Sequence, residues 1–187
     1  MTRLRAQRRG RWLLAPWLAL ACESPEGEDE DEDLLAGVEI TLQEAMELAA
    51  QMEPDGVTVD AELTDEYGDG PVFDVDRTVG EETREVLIDA RTGEWLRTRI
   101  DPDDQQDSLD QADALAESEQ GITLADAVEL ADQEHAVSDG VPVAVEVDPE
   151  EWVLLVVFVV DDTIRVVTLD LDDGTVLEVA EDPSEFG

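Results

Sequence analysis

Lysine and asparagine are absent from the 187 residues, and cysteine and histidine occur once each. A single cysteine excludes an internal disulfide, so the fold must rest on packing alone. One histidine, His135, with the only cysteine far away at Cys22, excludes a zinc site of the usual soft ligands. No nucleophile motif accompanies His135 to form a triad, and the residue reads as a solvent-exposed helix end. No glycine-rich phosphate loop occurs. Positive charge is the scarcest property: the eleven basic residues are all arginine, against 51 acidic residues. Five of the arginines precede residue 22 and no acidic residue does, so from Cys22 onward the formal charge is −45. Such a charge repels nucleic acid and anionic membrane surfaces. Carboxylates are so numerous that no pair of them, by sequence alone, marks an acid/base site.

Arg3 to Arg11 form a basic start, followed by the ten-residue apolar run Trp12–Ala21 and then Cys22. That order has the form of a signal peptide, and the run is too short to span a bilayer. Ala19-Leu20-Ala21-Cys22 is similar to a bacterial lipobox, whose cysteine takes a diacylglyceryl group and becomes the new N-terminus. Leu18 and Leu20 flank the place where a lipobox usually carries leucine, and Ala19 and Ala21 equally suit ordinary signal peptidase. The expectation is a signal peptide over 1–21, lipidation at Cys22 and contact with membrane through that lipid only. Residues 22–37, including the acidic stretch Glu23–Asp33, read as a self-repelling tether.

The chain repeats itself. Ile40-Thr-Leu-Gln-Glu-Ala-Met-Glu-Leu-Ala49 returns as Ile122-Thr-Leu-Ala-Asp-Ala-Val-Glu-Leu-Ala131, and Ile88-Asp-Ala-Arg-Thr-Gly-Glu-Trp-Leu96 as Leu169-Asp-Leu-Asp-Asp-Gly-Thr-Val-Leu177. Thr41 with Glu44, and Thr123 with Asp126, have the spacing of capping boxes, and apolar residues then recur at helical spacing. Leu48 and Leu130 are expected to be equivalent buried helix residues. Pro54-Asp55-Gly56 stops the first helix. Alternating segments follow, around Val57–Leu63, Val72–Val75 and Val86–Ala90 in the first unit and Val143–Val147, Trp152–Val160 and Val167–Leu171 in the second. Gly93 and Gly174 mark tight turns. The expected fold class is α+β: two tandem repeats, each one helix packed on a three- to four-stranded antiparallel meander.

Ile-Thr-Leu-x-Glu-Ala at the helix start, and Ile-Asp-Ala-x-Thr-Gly-Glu-x-Leu after the strands, resemble the PepSY domain (peptidase propeptide and YpeB). The first unit, 38–100, carries the fuller resemblance. The second, 120–181, keeps the helix start and the Asp-Gly turn. Between them, 101–119 reads as an acidic linker with helical spacing, and 182–187 as a tail. The resemblance implies a non-catalytic module that restrains or modulates a peptidase, and the residues themselves give no expectation of a cofactor or metal. The other reading is an acidic envelope protein that binds divalent cations or hydrates the surface. Asp65, Asp69, Gly70, Val72 and Asp76 approach calcium-loop spacing, but Tyr67 occupies a ligand position, and a hairpin turn fits better.

Trp152–Val160 is nine apolar residues in succession, so a strand here is apolar on both faces. One expectation is a partner surface made by Trp152, Leu154, Val156 and Phe158. The other is that the strand is covered internally, with the linker near 107–117 or the first repeat as a lid over the second face.

Overall fold

The computed structural model describes residues 35–65, 67, 70–100, 105–135, 140–161 and 163–182, without the side chains of 134, 135 and 182. All lie in the compact unit Asp33–Gly187. The expected signal peptide over 1–21, Cys22, most of the expected tether and most of the expected tail fall outside the described residues.

Helix α1 (Leu42–Met52) starts where Thr41 and Glu44 close a capping box: the Glu44 N–H donates to Thr41 Oγ1 at 3.2 Å and the Thr41 N–H to Glu44 Oε2 at 2.8 Å. Four strands follow, β1 (Val57–Thr64), β2 (Val72–Val79), β3 (Glu82–Asp89) and β4 (Trp95–Ile100). Helix α2 (Gln105–Glu117) then leads to α3 (Leu124–His135). Thr123 and Asp126 make the same reciprocal pair of bonds, at 2.9 and 3.2 Å, so aspartate closes the box as completely as glutamate. Strands β5 (Val141–Asp148), β6 (Val153–Val160), β7 (Thr163–Asp170) and β8 (Val176–Asp182) complete the chain.

The expectation of two separate meander sheets is corrected here. All eight strands form one antiparallel sheet in the order β4-β3-β2-β1-β5-β6-β7-β8, joined where Asp60–Glu62 of β1 pair with Ala144–Glu146 of β5. The physical reason is edge economy. Two half-sheets of this size would each expose a second edge of unpaired backbone groups, and a unit of about 60 residues is marginal alone.

Helices α1 and α3 lie on one face. Beneath them runs a row of register partners, Val86–Val75–Ala61–Val145–Val156–Val167, none of which is solvent exposed. Leu42, Ala45, Met46 and Ala49 of α1 and Leu124, Ala127, Val128 and Ala131 of α3 close on this face together with Phe73, Leu154, Phe158 and Leu169. Burial of each larger side chain contributes about 1.5–3 kcal/mol. Leu48 and Leu130 are half-buried rather than enclosed: each lies at the rim of its helix, with its tip against the turn glycine, Gly93 and Gly174 respectively.

Arg77, 5% exposed, ties the end of α1 to the sheet. Its guanidinium donates to the carbonyls of Glu53 and Gly56 and to Thr58 Oγ1. Helix α2 crosses one end of the opposite face. The Thr78 hydroxyl donates to the Ser108 carbonyl at 3.3 Å, and the Gln111 amide to the Val147 carbonyl at 3.0 Å.

Candidate functional site: the open face of the sheet

Strand alternation puts every second residue on the face away from α1 and α3. Two rows of register partners cross all eight strands there. The first is Arg99–Glu85–Asp76–Asp60–Glu146–Leu155–Thr168–Glu178. The second is Arg97–Leu87–Asp74–Glu62–Ala144–Val157–Val166–Ala180. The face is therefore divided. Its β1–β5 part is carboxylate-rich, and its β6–β7 part is aliphatic, with Leu155, Val157, Val159, Ile164 and Val166. Val157 is 7% exposed, and the other four keep partial exposure.

Like charges directly opposite one another destabilise a sheet, so the acidic half needs specific compensation. Tyr67, in the β1–β2 connection, supplies part of it. Its hydroxyl hydrogen-bonds to Asp74 Oδ2 at 2.7 Å and Glu85 Oε1 at 2.5 Å. The guanidiniums of Arg97 and Arg99 lie 5.0 and 5.7 Å from its ring centroid, within cation–π range. Arg99 also pairs with Glu85, whose side chain is 4% exposed.

Burial pushes the Asp74 carboxyl up to about 7, with Asp76 and Glu62 adding to the rise, while the Tyr67 hydrogen bond and Arg99 oppose it. Asp74 Oδ1 is buried without a hydrogen-bond partner, an arrangement that favours the protonated acid. Asp60 is pushed well above the usual carboxylate range, first by burial and then by Glu146, Glu62, Asp76 and Asp74. Tyr67 is pushed up as well, by burial and by its bond to Asp74. Among the described residues no group of three or more histidine, cysteine, aspartate or glutamate side chains is arranged to hold a metal ion.

The anticipated partner surface is corrected by burial. Leu154, Val156 and Phe158 have no solvent exposure and belong to the core under the helices. Trp152 lies outside the strand, in the left-handed region at φ 60, and its indole donates to Asp172 Oδ1 at 3.0 Å. The residues left accessible are the alternate set on β6, Leu155 and Val159 with Val157 between them. The expected lid is corrected too: α2 packs on β1, β2, β3 and β5, so the aliphatic half of the face is not beneath it. A second concavity, of about 460 Å³, lies between the helices, where Met46, Ala50, Leu115, Ala116, Ile122 and Leu124 line it. Among the described residues no helix is long and apolar enough to cross a membrane.

Residues 39–99 match the PepSY family, "Peptidase propeptide and YPEB domain". No curated protein matches the chain. Among solved structures, the chain is similar to the crystal structure of a "putative lipoprotein" from Clostridium difficile 630, at 18% identity and a TM-score of 0.47, covering 82% of this chain and 100% of that one. No catalytic family is indicated.

Proposed function

We infer that this chain is a non-catalytic protein of the cell envelope that binds a protein partner, a peptidase being the class its PepSY region favours, and modulates it. The observation that carries the reading is the divided face: an aliphatic patch on β6–β7 beside rows of carboxylates. A partner surface with aliphatic or aromatic side chains complements the aliphatic half and supplies affinity, and arginine or lysine at its rim meets the half-buried Glu62, Asp76 and Glu146 beside the patch. The PepSY match over 39–99 supports the partner class.

Two finer elements belong to the same reading. Residues 120–181 are a second PepSY-like copy, supported by the repeated capping box and by Gly93 and Gly174 in the same turn. Cys22 carries the lipid that holds the protein at a bacterial membrane, supported by the basic start and apolar run before it.

The experiment is capture from envelope extract with the wild-type chain and with Leu155→Glu. A peptidase retained by the wild type and lost with the variant, and whose rate changes when purified chain is added back, is the expected result. Equal retention by both chains removes the open face from the reading. A retained peptidase whose rate does not respond removes modulation.

A further inference from the structure

We propose that the two edges of the sheet are complementary to each other, and that copies of this chain associate side by side, β8 of one against β4 of the next. Among the described residues no strand pairs with the outer side of β4 or β8. Both edges are open: Trp95 is 50% and Ile100 53% exposed on β4, and Val179 is 40% exposed on β8.

Strand direction permits the contact. Every neighbouring pair in the sheet is antiparallel. With eight strands, the first and last therefore run in opposite directions. A copy displaced sideways without turning over presents its β4 antiparallel to the first copy's β8, with the helices of both on the same side.

Register agrees with direction. The row that begins at Arg99 ends at Glu178, the row that begins at Arg97 ends at Ala180, and the row through Val86 and Val167 runs from Thr98 to Val179. Continuing each row straight into the next copy sets Glu178 opposite Arg99, Ala180 opposite Arg97 and Val179 opposite Thr98. All three satisfy one antiparallel register, and Glu178 then also lies diagonal to Arg97, within reach of a long side chain. The bulges at Leu96 and Leu177 fall outside the stretches Arg97–Arg99 and Glu178–Ala180.

Charge selects this arrangement over its alternatives. β4 against a second β4 sets the arginine-bearing edge, Arg97 and Arg99, against its own copy, and β8 against β8 sets an acidic edge, Glu178 and Glu181, against another. Edge charges that guard against like pairing become attractive in the unlike pairing. The contact is heterologous, and the twist of the sheet keeps it from closing as a dimer, so it builds open ladders. The formal charge of −45 beyond residue 22 opposes assembly at low salt. At about 0.15 M salt the screening length is roughly 8 Å, so distant repulsion is damped while the Glu178–Arg99 contact is kept.

Sedimentation of the unit Asp33–Gly187, which contains the whole described core, tests the proposal across a range of protein and salt concentrations. The expected result is a mean mass that rises with concentration without levelling at a dimer, and that rises when salt is first added. Glu178→Arg, at an exposed site, should be monomeric alone and should shorten wild-type assemblies when mixed in, because it keeps β4 and loses β8. Glu119→Arg, the same charge change in a connection, should assemble like the wild type. A monomer at every concentration and salt, a plateau at the dimer, or full assembly by Glu178→Arg overturns the proposal.

Discussion

Ala61 and Val145 are register partners with no solvent exposure, and they sit at the middle of the three-residue contact that joins β1 to β5. The halves on either side share one row of buried side chains as well as one sheet, so they should unfold together. The unit Asp33–Gly187 contains two tryptophans, Trp95 in the first half and Trp152 in the second. Phe158→Ala should cost about 3–5 kcal/mol. It should lower the unfolding midpoint by the same amount at both tryptophans, measured in single-tryptophan variants. Separate midpoints would mean that the β1–β5 join does not couple the halves.

The turn glycines should differ in their tolerance of a side chain. Gly93 and Gly174 have φ of +70 and +69, where a non-glycine residue costs about 1–2 kcal/mol. A Cβ at Gly93 would lie 3.3 Å from Leu48 Cδ1, whereas one at Gly174 would lie 2.6 Å from Leu130 Cδ1 and 3.0 Å from Ile122 Cδ1. Gly174→Ala should therefore destabilise more than Gly93→Ala. Adding Leu130→Ala should cost less in the Gly174→Ala background than in the wild type, because it relieves the clash. Additive effects in denaturant titration would refute the shared contact.

Much of this was legible in the sequence, for local reasons. Threonine followed by an acid three residues on, and glycine after an Asp-containing strand end, act over a few residues, so the helix starts and turns can be read without a structure. The β1–β5 join cannot be read that way, because it depends on which edges remain unpaired after each meander forms. The face assignment of β6 failed because alternation carries no information in an all-apolar run: Leu154, Val156 and Phe158 became core only through their partners on β5 and β7. Helix α2 has the right apolar spacing, but its place across β1–β3 and β5 depends on tertiary contacts. In the sequence Tyr67 only interrupts a calcium-loop spacing, and its role between Asp74 and Glu85 appears once β2 and β3 are in register. The alternate acids of β1 and β2 were visible; that they stand opposite one another was not.

Lipidation is testable by itself. Cys22→Ala should move the protein from the membrane fraction to the soluble fraction, and mass spectrometry of the wild type should find a diacylglyceryl-modified Cys22. An unmodified Cys22 would remove the anchor while leaving the fold and the open face unaffected.

The acidic half of the open face should make stability rise as pH falls. Asp74 moves from an ordinary value of 3.8 to about 7 in the folded chain, and Asp60 is displaced in the same direction. A carboxyl with a raised folded-state pKa binds its proton more tightly in the folded chain than in the unfolded one. Its stabilising contribution is fully present below the unfolded value and is lost as pH rises through the folded value. For Asp74 the loss therefore sets in above the ordinary value of 3.8 and is complete once pH has passed about 7. The unfolding midpoint should be higher at about pH 5.5 than at about pH 8, since that interval spans the folded-state value. Asp60→Asn removes a buried carboxyl that Asp76 and Glu146 face from either side, so it should stabilise the chain at the higher pH and flatten the dependence. Tyr67→Phe removes a hydrogen bond that holds the Asp74 value down. It should shift the loss of stability toward higher pH while lowering stability at pH 8, where Asp74 and Glu85 are left to face each other's surroundings without the hydroxyl. Denaturant titrations of the three chains across this range give the comparison. A wild-type midpoint that rises with pH, or an Asp60→Asn slope as steep as the wild type's, would show that these carboxyls do not govern the stability of the sheet.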